Sequence, residues 1–181
     1  MRYASIRNMD ISNGDGLGVS LFVQGCHFHC KNCFNQETWD FQGGKKWTKE
    51  KKDLFLKLIE NEYVERVSIL GGEPLANENV ETILELVKEI RMNFPEKKIW
   101  IYTGYKIESI LVPIVTDNLD FNRDYILEIR KNVLDYIDVL VDGQFEEDKK
   151  DLMLKWKGSK NQRVIDVRET LKNKKIVLFE K

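Results

Sequence analysis

Three cysteines lie within eight residues of one another in the stretch GCHFHCKNCFN (25–35), and the chain has no others. They are Cys26, Cys30 and Cys33. Buried cysteines can serve as small hydrophobic side chains, but the residues between these three are mostly polar, which is unlike a packed core. The spacing therefore indicates a metal centre or a redox site.

Three kinds of site use thiols at this spacing. A [4Fe–4S] cluster could take all three as ligands, which would leave one iron open to a substrate or cofactor. Zinc could be held by the three thiols with His27 or His29, although structural zinc sites usually join two separated ligand pairs. A thiol–disulfide couple formed by Cys30 and Cys33 would leave Cys26 without a role. Spacing favours the cluster, and the other two readings stay open at this point.

Length and charge narrow the class of protein. The 181 residues predict a single domain over 1–181, and a net charge of −1 gives no reason to expect nucleic acid or an anionic membrane as partner. No apolar run approaches the roughly 18 residues of a membrane span, and the N-terminal residues contain no apolar signal region. An odd number of closely spaced cysteines fits a reducing cytoplasm.

Strand-like and helix-like runs alternate along the chain. Apolar patterning predicts strands at 18–24, 66–70, 98–102 and 137–142, with weaker strands at 163–166 and 175–179. It predicts helices at 48–63, 77–94 and 124–136, and a weaker one at 107–112. This alternation indicates an α/β fold built on a mainly parallel sheet.

Four of the predicted strands end in glycine and polar residues. The four sequences are FVQ-GC, SIL-GGEP, WIY-TGY and VLV-DG. The carboxyl ends of parallel strands lie along one edge of a sheet, where α/β proteins place their chemistry. We therefore expect the cysteine loop, the 71–74 turn, residues 102–104 and residues 142–143 to converge on one site.

The order of these motifs resembles the radical S-adenosylmethionine (SAM) superfamily, in which Cys-x3-Cys-x2-Cys follows the first strand and GGEP a later one. The segments DGLGVSLFVQGC, CHFHCKNCFNQETWDF, LGGEPL, IWIYTGY, DVLVDGQF and KGSKNQRVID narrow the resemblance. Together they are similar to the activating enzymes of anaerobic (class III) ribonucleoside-triphosphate reductases, over residues 15 to 166. Asn32 stands where glycine is common in those enzymes, and asparagine tolerates a left-handed backbone.

The resemblance implies two cofactors. A [4Fe–4S] cluster would be held by Cys26, Cys30 and Cys33, and SAM would bind at its open iron. The residues that the resemblance and their chemistry place near SAM are Asn32, Cys33, Phe34, Gly71, Gly72, Glu73, Tyr102 and Thr103. Glycines allow close approach of backbone oxygens to the methionine amino group, and a carboxylate at Glu73 complements its charge.

The resemblance also implies a fold and partners. The fold would be a partial (β/α)6-type barrel of mainly parallel strands, because 181 residues are too few for eight βα units. Its open mouth would admit a glycine loop of anaerobic ribonucleoside-triphosphate reductase, on which a glycyl radical is generated, with flavodoxin or ferredoxin as electron donor. The alternatives are activation of another glycyl-radical enzyme of the pyruvate formate-lyase type, and a zinc-binding module without catalysis.

Overall fold

A seven-stranded sheet organises the computed structural model, which describes residues 1–111 and 121–180. The strands are β1 (Arg2–Asp10), β2 (Gly18–Val23), β3 (Lys45–Lys46), β4 (Arg66–Gly71), β5 (Lys98–Tyr102), β6 (Val139–Asp142) and β7 (Arg163–Asp166). Their order is β3-β1-β2-β4-β5-β6-β7. The four strands β2, β4, β5 and β6 are parallel neighbours, whereas β1, β3 and β7 pair antiparallel at the sides.

Within the described part of the chain, five α-helices accompany the sheet. They are α1 (Lys49–Ile59), α2 (Val80–Asn93), α3 (Ile107–Leu111), α4 (Phe121–Leu134) and α5 (Val167–Asn173). The apolar stripe of α2, which includes Ile83, Val87 and Ile90, is fully buried against the sheet. Among the described residues, no helix combines the length and the apolar character that crossing a bilayer requires.

The two faces of the sheet differ in what covers them. One face carries Val19, Leu21 and Ile69, among others, and joins the helices in the main hydrophobic core. The opposite face, called here the inner face, carries Trp100 and Val141, which pack with aromatic side chains from late in the chain. Because side chains alternate along a strand, each strand contributes to both faces.

The predicted α/β class is confirmed, with a mixed sheet whose centre is parallel. All the main predicted strands and helices are present, and 163–166 is the antiparallel strand β7. The weaker helix at 107–112 is present as α3, but residue 112 lies outside the described residues. The late strand at 175–179 was wrong, because this segment forms only an isolated bridge between Leu178 and Ile165. Closure into a partial barrel stays a prediction.

Among the strands and helices of the described residues, β1, β3 and α5 have no sequence-based prediction. The strand β1 has few buried side chains, so it lacks the apolar run that marks a strand in the middle of a sheet. It forms because its backbone pairs with β2 and β3. The short helix α5 begins at a cap in which the Asp166 side chain accepts a hydrogen bond from the Glu169 amide.

Candidate functional site

The four parallel strands end along one edge of the sheet, as the sequence predicts. A cleft of about 480 Å³ opens there and continues over part of the inner face. All three cysteines line it, together with Gly71, Gly72 and Gly143 from the ends of two other strands. Its volume is in the range of small-molecule binding sites. The convergence predicted from the four strand ends is therefore confirmed.

The cysteine loop is held by backbone hydrogen bonds at its start. Gly25 has a φ of 97°, and its amide donates to the carbonyl of Thr38 at 2.7 Å. The Cys26 amide donates to the carbonyl of Trp39 at 3.0 Å. Within the loop, the backbone is left-handed at His29 (φ 46°) and at Asn32 (φ 55°). Asn32 thus adopts the conformation that asparagine tolerates well.

The three thiols are half-buried and unpaired with one another. Burial raises the pKa of the Cys26 thiol to about 11 and also raises the pKa of Cys30. Alone, these groups are therefore neutral thiols at physiological pH. Metals bind thiolates and lower the pKa of their ligands, so the donor set fits a thiophilic metal centre better than a low-pKa redox couple.

The two histidines of the loop have other contacts. His27 lies 3.0 Å from the Glu78 carboxylate and packs on the Phe41 ring, while His29 stacks on Trp39 at 4.7 Å between ring centres. The two histidines border a second, smaller cavity and not the main cleft, whereas Cys26 lines both. Among the described residues, no three or more His, Cys, Asp or Glu side chains are grouped as a single metal ion needs.

The turn after β4 is bonded directly to the cysteine loop. Gly72 donates from its amide to the carbonyl of Val23 at 2.9 Å, and Glu73 donates to the carbonyl of Gly25 at 2.7 Å. A Cβ on Gly72 would lie 2.5 Å from the Gly25 oxygen. Gly71 has a φ of 102°, which favours glycine. These two glycines therefore let the turn and the cysteine loop touch backbone to backbone.

Glu73 is buried behind this turn, with 2% of its surface exposed. Its carboxylate accepts hydrogen bonds from the Leu75 amide, the Thr103 hydroxyl and the Gly104 amide, each at 2.8 Å. Burial raises the pKa of Glu73 to about 7, although these three donors act in the opposite direction. Glu73 therefore ties the end of β4 to the end of β5, and it lines the cleft as it does so.

Tyr102 lies on the inner face, next to Leu70 and Phe22 in the cleft lining. Its hydroxyl is buried and has no hydrogen-bond partner among residues 1–111 and 121–180, and burial raises the pKa of Tyr102. The guanidinium of Arg7 lies 4.5 Å from the centre of the Phe22 ring and also lines the cleft.

The segment GSKNQR (158–163) closes the far side of the cleft. The Gln162 side chain donates to the carbonyl of Gly143 at 2.9 Å and accepts from the amide of Gly158 at 2.9 Å. Asn161 donates to the carbonyl of Gln144 at 2.8 Å. This segment therefore fixes the turn after β6 as one wall of the cleft.

Most of the predicted site residues lie together. Cys26, Cys30, Cys33, Phe34, Gly71, Gly72, Glu73, Tyr102 and Thr103 all line the cleft, whereas Asn32 is exposed and does not. The predictions missed Arg7, Phe28, Phe145 and Gln162, which also line it. Arg7, Phe145 and Gln162 reach the cleft from segments distant in sequence from the cysteines, whereas Phe28 lies within the cysteine loop itself. For Phe28, Phe145 and Gln162 the signal was their place in the quoted segments; Arg7 lies outside those segments.

Comparisons with known proteins agree with this architecture. Residues 12–165 match a family described as a 4Fe-4S single cluster domain. The chain is 38% identical over 170 residues to an anaerobic ribonucleoside-triphosphate reductase-activating protein from Escherichia coli K12, covering 93% of this chain and 100% of the relative. A protein of the same name from Salmonella typhimurium gives the same identity and coverage. One from enterobacteria phage T4 is 34% identical over 91% of this chain and 93% of its own length.

Proposed function

Since this chain belongs to the family of anaerobic ribonucleoside-triphosphate reductase-activating proteins and carries a 4Fe-4S single cluster domain, we propose that it is a radical SAM activase. It acts on anaerobic ribonucleoside-triphosphate reductase, on which it generates a glycyl radical. The observation that supports this most is that three half-buried thiols share one cleft with a diglycine turn at the ends of parallel strands.

In this proposal Cys26, Cys30 and Cys33 hold a [4Fe–4S] cluster. When bound, the cluster would supply the one electron needed to cleave the sulfonium C–S bond of SAM, and this cleavage would lead to removal of a hydrogen atom from a glycine Cα of the reductase. The protein acts in a reducing cytoplasm in this proposal, and a flavodoxin or ferredoxin donates the electron to its cluster.

The chain's own residues bind and orient SAM. Gly71 and Gly72 let the turn pack directly on β2 and on the cysteine loop, where side chains would clash with the backbone. In this arrangement backbone oxygens of the turn accept hydrogen bonds from the methionine amino group. The Glu73 carboxyl group adds negative charge to this wall when it is ionised, and it holds Thr103 and Gly104 in place.

An aromatic wall faces the adenosyl part in this proposal. Phe34 packs on Phe145 at 5.2 Å between ring centres, and both line the cleft. A flat base can pack on such a ring and be shielded from water. Tyr102 and Thr103, which also line the cleft, complete the SAM site in this proposal.

Electron paramagnetic resonance (EPR) of the partner protein tests the proposal. The anaerobically reconstituted chain is mixed with SAM, a reductant and either the reductase or pyruvate formate-lyase. We expect a glycyl-radical doublet on the reductase and none on pyruvate formate-lyase. A doublet only on pyruvate formate-lyase would transfer the activity to that partner, and no SAM cleavage with zinc bound would favour the non-catalytic module.

A further inference from the structure

One wall of the cleft is a hairpin formed by residues 150–159, called here the cleft hairpin. Its base is closed by a bridge between Lys150 and Ser159 and by a hydrogen bond from the Asp151 amide to the Gly158 carbonyl at 3.2 Å. Leu152, Leu154 and Trp156 line the cleft from this hairpin. The wall therefore continues from the interior of the cleft to its mouth.

The tip of the cleft hairpin holds two large apolar side chains in solvent. Leu152 is 78% exposed and Met153 is 89% exposed. Exposed apolar surface beside a binding cleft is typical of a contact surface for another molecule, and methionine adapts well to different partners. We call this pair the tip patch.

Several contacts fix the hairpin that carries the tip patch. The Asp151 carboxylate accepts a hydrogen bond from the Met153 amide at 3.0 Å and lies 3.5 Å from the Lys160 ammonium. Trp156 packs edge-on against Trp100 at 5.3 Å between ring centres. Because these contacts already hold the backbone of the hairpin, little conformational entropy would be lost when a partner covers the patch.

The base of the hairpin touches the cysteine loop. A Cβ on Gly158 would lie 2.8 Å from the Phe34 ring, so the two segments are in close contact there. Phe34 directly follows Cys33 in the sequence. Because Leu152 of the tip patch also lines the cleft, a molecule that covers the patch lies beside the cleft.

An exposed lysine, Lys155, lies two residues after Met153 of the tip patch. Lys155 is exposed, lies 5.9 Å from the Trp156 ring centre, and forms no ion pair within the part of the chain that the structure describes. Lys149, Lys150 and Lys160 of the same region are each paired with a carboxylate. An apolar surface bordered by carboxylates would complement the patch and the free cation at Lys155.

We infer that the tip patch, with Lys155, is the docking surface for the protein substrate, and that the substrate offers an apolar surface bordered by acidic residues. The inference rests on the proposed function, because it needs a glycine loop to enter this cleft. A second copy of this chain is the less suitable occupant, since a copy seated at the tip would stand across the mouth through which the loop must pass.

The test compares two aspartate substitutions on the full-length, reconstituted protein. Met153→Asp places a charge in the tip patch. The matched control, Met92→Asp, places the same charge on α2, at another exposed methionine (78% exposed).

Three quantities are measured: 5′-deoxyadenosine formed without a partner, the KM for the reductase in glycyl-radical formation, and direct binding of the two proteins. For Met153→Asp we expect unchanged 5′-deoxyadenosine formation and at least a tenfold rise in KM and in Kd; for Met92→Asp we expect no change. The Lys155→Glu protein should bind the reductase more weakly than the wild type, and its Kd should depend less steeply on salt concentration.

Two outcomes would overturn the docking surface alone. One is a Met153→Asp protein with wild-type KM and Kd for the reductase. The other is loss of a homodimer in Met153→Asp, measured by sedimentation, with unchanged affinity for the reductase, because the patch would then belong to a second copy. If the wild-type protein cleaved no SAM at all, the proposed function would fail, and this inference would fail with it.

Discussion

Replacing Gly72 by alanine tests the contact between the 71–74 turn and the cysteine loop. An alanine Cβ would lie 2.5 Å from the oxygen of Gly25 and 3.0 Å from its carbonyl carbon and its nitrogen. All three atoms belong to the backbone, so no side chain can rotate to relieve the overlap. The turn and the loop must move apart, which also weakens the hydrogen bond from the Glu73 amide to the Gly25 carbonyl.

The expected cost has two parts. Forcing extra volume into a packed site costs about 1–3 kcal/mol, and a weakened buried hydrogen bond adds about 1 kcal/mol. We therefore expect the free energy of unfolding to fall by about 3 kcal/mol. For a domain of this size, each kcal/mol lowers Tm by about 2–4 °C, so Tm should fall by roughly 6–12 °C.

Thermal unfolding of the anaerobic protein measures this change, and the SAM cleavage rate is measured on the same samples. Gly43→Ala is the control, because its Cβ would lie 2.6 Å from the Gln24 side-chain nitrogen, which can move, and farther from any backbone atom. We expect that control to lower Tm by less than half as much and to keep SAM cleavage. A Gly72→Ala protein with wild-type Tm and SAM cleavage would refute the close backbone contact.

Three further predictions concern separate parts of the molecule. Cys33→Ala should lose the [4Fe–4S] cluster and SAM cleavage together, and an iron assay that still found about four irons per chain with normal 5′-deoxyadenosine formation would contradict its role as ligand. Because the pKa of Glu73 is raised to about 7, its carboxyl group is mostly neutral at pH 6 and mostly charged at pH 8. The Kd for SAM, measured by equilibrium dialysis, should therefore be larger at pH 6 than at pH 8, by about tenfold at most. Glu73→Gln should remove this pH dependence. Asp10→Ala removes the carboxylate that lies 3.8 Å from the fully buried Arg66 guanidinium. Urea unfolding should show a loss of about 3–5 kcal/mol, and a loss below 1 kcal/mol would argue against that ion pair.

Local sequence patterns were sufficient for the elements that carry the site. Apolar runs ending in glycine gave four strand ends, and parallel pairing brings such ends to one edge whatever the loops do. Asn32 could be expected to tolerate a left-handed backbone, and its φ of 55° agrees. These features depend on neighbours in the sequence, which is why the sequence predicts them.

Contacts between distant segments could not be predicted in this way. The Glu73 carboxylate is bonded to Thr103 and Gly104, 30 and 31 residues away, so its burial depends on how β4 and β5 pack. Gln162 fixes Gly143 through its side-chain amide, a contact that no periodicity encodes. The strand β1 was missed because pairing with β2, not an apolar pattern of its own, gives it order.

The central claim is that three thiols hold a [4Fe–4S] cluster whose remaining iron is open to SAM. The most direct measurement is the EPR spectrum of the reduced, anaerobically reconstituted protein before and after one equivalent of SAM is added. The account predicts a cluster signal from about four irons per chain whose g values shift on addition of SAM, because SAM becomes a ligand of the open iron. A protein that binds zinc without a cluster signal, or a cluster whose spectrum SAM leaves unchanged, would contradict it.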